Sequence, residues 1–298
     1  MLNKGHSTEA LIFALILVSY AILFWLIIGK RHLIDRLLPT TDTGSYHGLS
    51  LIYWLSPLFF IGLWGFVSSL GIASLKNVPS PIEVVKSFLN LLSSGELVVE
   101  AFISFKRVVV GFTLASVIGV SIGLVAGSFL VVNHLIVPVN SFLRYIPPTA
   151  FIALLIVYFG VGETYKYAVI FLGVIFFIIQ MVIDVVDDVD MRYIEMGLTS
   201  GFSKWEIFSK VIVPFCWPRV LDVLRINLSA AWTFLVAAEL VGAERGLGHL
   251  IAVSQRFLRI GDLYAGILTF GIIGLTTDKF ISSISRWLFR WYYVELRR

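Results

Sequence analysis

Apolar residues along this chain gather in blocks of about 20, the length a helix needs, at roughly 1.5 Å per residue, to cross a hydrocarbon core. Residues 10–29, from Ala10 through Phe24, Trp25 and Ile28, carry no charge and read as one spanning helix. A secretory leader is the rival reading. Against it, Lys4 is the only Lys or Arg before the run, the run is long for a leader, and no small-x-small cleavage site precedes Lys30 and Arg31. Those two residues and Arg36 form a basic flank that would leave the N-terminus outside. Further apolar segments at 49–74, 107–127, 137–160, 167–186, 220–242 and 262–285 bring the expected spans to about seven.

Alternation then puts the stretch after Lys30, the polar stretch 187–219 and the C-terminal tail on the cytoplasmic side. The long stretch holds Arg192, Lys204, Lys210 and Arg219, and the tail holds Arg286, Arg290, Arg297 and Arg298, as basic loops on that side require. The outside loops also hold Lys76, Lys86, Arg256 and Arg259, so charge supports this orientation only in part.

Local signals refine the blocks. Ser80-Pro81-Ile82-Glu83 is a capping box with proline at the first helical position, and Val84, Val85, Phe88, Leu91 and Leu92 follow on one face of a surface helix. Ser93-Ser94-Gly95-Glu96 marks a break before the chain re-enters the bilayer at Lys106 and Arg107. Ala115, Gly119, Gly123 and Gly127 recur at four-residue intervals and line one stripe where another backbone can approach closely. Near the start of the 137–160 segment, Pro147 and Pro148 remove two backbone donors and disfavour helix before them. That break fits a cavity wall or gate hinge, and equally a kink that only shapes packing.

The stretch 187–219 predicts two short helices. The first covers residues 190–200 and stops at Gly201, a natural left-handed cap. The second opens with the capping box Ser203-Lys204-Trp205-Glu206 and is ended by Pro214. Along it Trp205, Phe208, Val211 and Ile212 share a face that suits a groove on a soluble partner.

Composition narrows the class. Hydrophobic residues make up 58% of the 298 and charged ones 14%, a balance that leaves too little polar surface for a soluble domain of this length. The net charge of +4 suits anionic lipid and is too small to argue for nucleic acid. Cys216 stands alone, so neither an intrachain disulfide nor a cysteine-based zinc site is available. The five histidines are dispersed without metal-ligand spacing, and no G-x-x-x-x-G-K-[ST] phosphate loop is present. An ion-driven secondary transporter would normally show mid-span ionisable residues and an inverted repeat, and a membrane enzyme paired carboxylates or a nucleophile motif within the spans. Neither pattern is found. Asp187, Asp188 and Asp190 read as charge at a helix N-terminus.

Glu195, Met196 and Gly197, then Gly201, then Val211, Val213 and Pro214 match the spacing of a cytoplasmic loop of ABC importer permeases: E-A-A, three residues, G, nine residues, I-x-L-P. The two alanines are replaced, as are the Ile and Leu, so the match rests on Glu, the second Gly, Pro and spacing. Over residues 78–292 the chain resembles the nitrate, sulfonate, taurine and bicarbonate importer permeases. The further motifs are Val78-Pro79-Ser80-Pro81, Arg144 to Thr149, Phe159-Gly160-Val161-Gly162-Glu163, Ala230-Ala231-Trp232, Ala237-Ala238-Glu239-Leu240, Gly246-Leu247-Gly248 and Asp278.

The resemblance implies an all-α membrane protein with the type I importer permease fold, a six-helix core plus one extra N-terminal transmembrane helix. Residues 1–48 would be the extra helix and linker, and 49–298 the permease domain with its coupling loop at 187–219. It implies a translocation path for a small anion, a second permease chain (a homodimer being the simpler arrangement), two cytosolic ATPase subunits that hold ATP and Mg, and an external solute-binding protein. The chain itself would hold no cofactor and perform no catalysis. Glu195, Gly201, Ser203, Trp205, Phe208 and Pro214 are the candidates for ATPase coupling. Arg144, Pro147, Pro148, Asn227, Ser229, Trp232 and Glu239 are candidates for the path or gate. Arg144 would attract an anion or snorkel to the interface, Trp232 would narrow the path or pack, and Glu239 would support a gate or brace the Gly246–Gly248 turn.

Overall fold

In the computed structural model, residues 60–65, 67, 68 and 78–295 are described. The expected first span at 10–29 and most of the segment 49–74 fall outside them. The chain divides into two compact units, Met1–Glu83 and Val84–Arg298. In the first, residues 60–65, 67 and 68 are helical. There the Trp64 indole donates to the Pro79 carbonyl at 3.0 Å and the Ser68 hydroxyl to that of Val78 at 3.3 Å. The predicted capping box forms at its end, with the Ser80 amide donating to Glu83 Oε2 at 2.8 Å and the Glu83 amide to Ser80 Oγ at 3.2 Å. It starts helix α1, Pro81–Ser93.

The second unit is built on α2 (Glu96–Ser128) and α5 (Glu163–Asp187). Gly95 makes the turn from α1 into α2 with φ 78°, a left-handed conformation that costs a glycine little. The small-residue stripe of α2 packs on α5: a Cβ placed on Gly119 would lie 2.9 Å from Ile178 Cγ2, and one on Gly127 2.7 Å from Val186 Cβ. Gly111 extends the stripe and faces Ile170. Because 111, 119 and 127 meet 170, 178 and 186 in rising order, the two helices run parallel. A parallel pair needs a crossover, and α3 (Leu130–Arg144) with α4 (Ile152–Phe159) supplies it. The two segments are bent by 82° at the Pro147-Pro148 break, where a single 3-10 turn covers Pro148–Phe151.

Beyond α5 lie α6 (Met191–Thr199) and α7 (Lys204–Ile207), which runs through a π-helical turn, Phe208–Ile212, into α8 (Val213–Gly242). Pro214 therefore does not end the second short helix, contrary to the sequence expectation. It sits in the first turn of α8, where its missing N–H costs least, and the wider turn before it accommodates the ring. Helix α9 (Leu247–Arg256) starts inside the Gly246–Gly248 motif, where only a turn was expected, and α10 (Ile260–Leu288) and α11 (Arg290–Glu295) complete the chain.

Among the described residues, α2, α5, the α7–α8 rod and α10 are each long and apolar enough to cross a membrane, and the bent α3–α4 pair counts as a fifth span. These five match the five later blocks of the hydrophobic pattern. The shared core of Val108, Ala115, Ile170, Val174, Ile178, Val182, Cys216, Val220, Ala231 and Leu235 is almost fully buried. In the most apolar stretch of α5, 61% is buried, the highest share of the four unbroken spans, against 17% for α10, the lowest, so α5 is the central post. Helix α2 begins at Glu96, at the break that Ser93-Ser94-Gly95-Glu96 signalled, and Arg107 is buried within it.

Candidate functional site

Three places collect the functional candidates. The first is the segment between α5 and α8. Asp190 caps α6 by accepting from the Arg192 amide at 2.9 Å, and its carboxylate also takes the Arg192 guanidinium at 2.8 Å. Those hydrogen bonds hold the Asp190 carboxyl below the usual carboxylate range. Helix α6 closes on a Schellman motif: the Gly201 amide donates to the Leu198 carbonyl and the Phe202 amide to that of Gly197, both at 3.0 Å. Gly201 takes φ 81° to allow it. The capping box of Ser203 and Glu206 then starts α7, with both reciprocal hydrogen bonds present.

Phe208 stacks on Trp205 at 5.0 Å between centroids and on Phe129 at 5.6 Å, and Ile207 and Ile212 are buried. The face expected from Trp205, Phe208, Val211 and Ile212 is thus divided, and all of it but Trp205 turns inward to seat the segment on the bundle. The outward apolar surface is instead Met191, Met196, Leu198 and Trp205, between 54% and 64% exposed. The sequence expectation put the apolar docking face on the second short helix and singled out Glu195 alone on α6, although Met191, Met196 and Leu198 were visible there. Glu195 is exposed on α6, and its carboxylate makes no hydrogen bond among the described residues. Pro214 lines a cavity of about 420 Å³ with Tyr193, Met196, Phe202 and Trp291.

At the opposite end of α5 lies a buried ionic cluster. Arg107 of α2 forms a fork on Glu163, Nε to Oε2 and Nη2 to Oε1 at 2.6 Å each, while its Nη1 donates to Glu239 Oε1 and to the Arg245 carbonyl, also at 2.6 Å. Lys166 adds a second cation on Glu163 at 2.7 Å. Glu239, with no exposed side-chain surface, accepts also from Ser104 at 2.7 Å and from the Gly248 amide at 2.7 Å. Glu100 takes Arg245 at 2.6 Å and the Gly246 amide, and Ser104 Oγ takes the Leu247 amide at 2.9 Å. Three carboxylates face three cations, so the cluster is neutral, and its spare lone pairs go to the first amides of α9, the groups a helix start leaves unpaired. Gly246 lies at φ 116°, and a Cβ there would run into Glu239 and Arg107. Of these residues only Glu239 and the glycine turn were singled out from sequence as a brace. Arg107 and Glu163 were missed as partners, although a charged residue inside an apolar helix is itself a signal.

The third place is a groove of about 510 Å³ between α8 and α10, lined by Ser229, Trp232, Thr233, Phe270, Gly271, Gly274 and Leu275, with Arg225 and Asp278 also in its wall. Arg225 and Asp278 pair through two contacts, 2.5 and 3.0 Å. Ser229 is exposed in the groove, whereas Trp232 lines it while 6% exposed, between Phe105 and Phe270. The structure does not bring the remaining path candidates here. Asn227 is buried and donates to the Val223 carbonyl at 2.9 Å and to Met181 of α5, because its position on α8 faces the central post and not the groove. Arg144 lies at the end of α3 with its guanidinium 5.8 Å from the Tyr145 ring, beside the bend that Pro147 and Pro148 make.

Against known proteins, the profile for "Binding-protein-dependent transport system inner membrane component" matches residues 108–292. A Bacillus subtilis protein named for aliphatic sulfonates transport, as its permease, is 33% identical over 237 residues, covering 80% of this chain and 86% of its own length. The taurine transport system permease protein of Escherichia coli is 28% identical over 235 residues, covering 77% and 86%. An inward-facing methionine ABC transporter structure aligns with a TM-score of 0.56 at 18% identity, covering 66% of this chain and 96% of that one. It shares the fold.

Proposed function

The chain belongs to the binding-protein-dependent transport system inner membrane components, the permeases of ABC importers, and we propose that the solute it passes is a small organic anion of the sulfonate class. The two relatives above carry aliphatic sulfonates and taurine in their names, and taurine is itself an aminosulfonate. In this reading two copies of the chain pack around a central path, two cytosolic ATPase subunits hold ATP and Mg, and a solute-binding protein delivers the anion from outside. Residues 1–48 are an addition to the permease domain, and the N-terminus lies outside.

The observation that carries the reading is the segment from Asp190 to Ile212. Two capped helices joined by a left-handed glycine hold Met191, Met196, Leu198 and Trp205 outward, at one end of the bundle, on a scaffold fixed by Phe208. A soluble partner that covers this apolar surface is pulled whenever α5 and α8 move, since the segment is continuous with both. ATP-driven closure of the ATPases is thereby converted into rearrangement of the spans.

The test is copurification. The parent permease, isolated from its membrane in mild detergent, is expected to bring an ATPase whose activity the loaded binding protein stimulates. The pair Glu195→Ala and Gly201→Val is expected to lose the ATPase or its stimulation, since Val is strained at φ 81° and the α6–α7 angle changes. If the parent brings no ATPase, or if the double variant keeps a fully stimulated one, the docking assignment fails.

A further inference from the structure

Two arginines of the second unit sit among apolar residues, and their surroundings differ in a way that decides which one can serve a passing anion. Arg107 has a side chain 3% exposed and four hydrogen bonds at 2.6 Å to fixed protein groups. Removing one partner from so buried a pair leaves an uncompensated charge, and Arg107 is not available to exchange ligands. Arg225 is 40% exposed and its partner Asp278 37%. A half-exposed pair can trade its carboxylate for another oxyanion without leaving the guanidinium uncompensated, since one anion replaces another.

Arg225 is also the only cation among the described residues that line the 510 Å³ groove. The wall running away from it toward Phe270, Gly271 and Leu275 is almost entirely apolar. Ser229 and Thr233 turn their hydroxyl protons onto the Ile226 and Ser229 carbonyls, so Arg225 is the fork donor there. A guanidinium at one end of an apolar trough is complementary to an amphiphilic anion: planar, bidentate donation suits a sulfonate oxygen pair, and the trough covers its alkyl tail. Gly271 and Gly274 keep the trough open, since a Cβ added at either would meet no atom within 4 Å.

We propose that the groove between α8 and α10 is a transient binding site for alkanesulfonates on their way across the membrane, with Arg225 exchanging Asp278 for the sulfonate head and the face around Gly271 setting the longest alkyl tail accepted. This rests on the sulfonate reading above.

The experiment uses the assembled transporter reconstituted in vesicles with its binding protein, and measures maximal uptake of ethanesulfonate and octanesulfonate at saturating loaded binding protein, so that the binding protein's affinity drops out. Gly271→Leu puts an isobutyl group into the open space beside Gly271 and is expected to lower octanesulfonate uptake at least tenfold while ethanesulfonate uptake stays within twofold. Arg225→Gln with Asp278→Asn removes both charges together and is expected to lower uptake of both probes at least tenfold, with complex size retained. Unchanged uptake in both variants, with the parent importing sulfonates, overturns the groove site and leaves the transporter reading standing. A halved complex in either variant assigns the groove to a contact between copies and overturns the site. A parent that imports neither probe sinks the substrate reading and this inference together.

Discussion

At the residue scale, the burial of charge separates bracing from exchange. Glu239 has no exposed side-chain surface, yet Arg107, Ser104 and the Gly248 amide satisfy its oxygens. Low local dielectric makes such a satisfied cluster rigid and a broken one costly. Arg107→Met is therefore expected to lower the stability of the purified protein by about 3–5 kcal/mol, because Glu239 loses its cation. The double variant Arg107→Met, Glu239→Gln should lose clearly less than the sum of the two single changes. Denaturant unfolding in detergent measures all three, and simple additivity would show that the pair is not coupled. The sequence offered Glu239 as a brace for the glycine turn that follows it, whose Gly248 is nine residues on, a short-range inference. Arg107 and Glu163 lie 132 and 76 positions from it, and no local pattern joins residues so far apart.

At the level of helices, sequence and structure agree where a local rule is sufficient. The four-residue spacing of Ala115, Gly119, Gly123 and Gly127 marked a packing face, and α5 lies on it, with a Cβ on Gly123 falling 2.7 Å from Val182 Cβ. Gly123→Ala is accordingly expected to cost about 1–3 kcal/mol by overpacking, although alanine is the better helix former. Gly271→Ala, with open space around it, should be neutral or stabilising by up to about 1 kcal/mol. Thermal unfolding of the two variants side by side checks the contrast, and equal shifts would remove the close-approach argument for α2 and α5. The caps at Gly201 and Ser203 were equally legible, because each is settled within four or five residues, whereas Asp190 was read only as charge at a helix start and proves to be its N-cap. Pro214 was misread for the same reason. Proline ends a regular helix, but the π-helical turn that carries the chain past it is held by the packing of Phe208 and Ile212 on the bundle, which lies outside any local window.

At the scale of the whole molecule, the parallel run of α2 and α5 sets the ends of the bundle. The aromatic contact between Phe129 and Phe208 puts the close of α2 beside the segment from α6 to α8, so Ser94, just before α2, lies at the far end. Both Ser94 and Ser200 are exposed, and the lone Cys216 is buried. A membrane-impermeant maleimide applied to intact cells is expected to label Ser94→Cys and not Ser200→Cys. The reverse result would invert the proposed orientation, and labelling of both would contradict their placement at opposite ends. The apolar blocks alone determined that this is an all-helical membrane protein, and roughly where each described span lies, because the cost of exposing peptide groups to lipid leaves the helix as the only economical solution for an apolar run of that length. The coupling-loop spacing was likewise a property of contiguous residues. Only the tertiary structure decided which charges meet, which face of each short helix looks outward, and that Asn227 faces α5 while Ser229, two residues on, opens into a groove. Those outcomes depend on the rotation and register of helices far apart in the chain, which side-chain packing fixes and one-dimensional pattern does not contain.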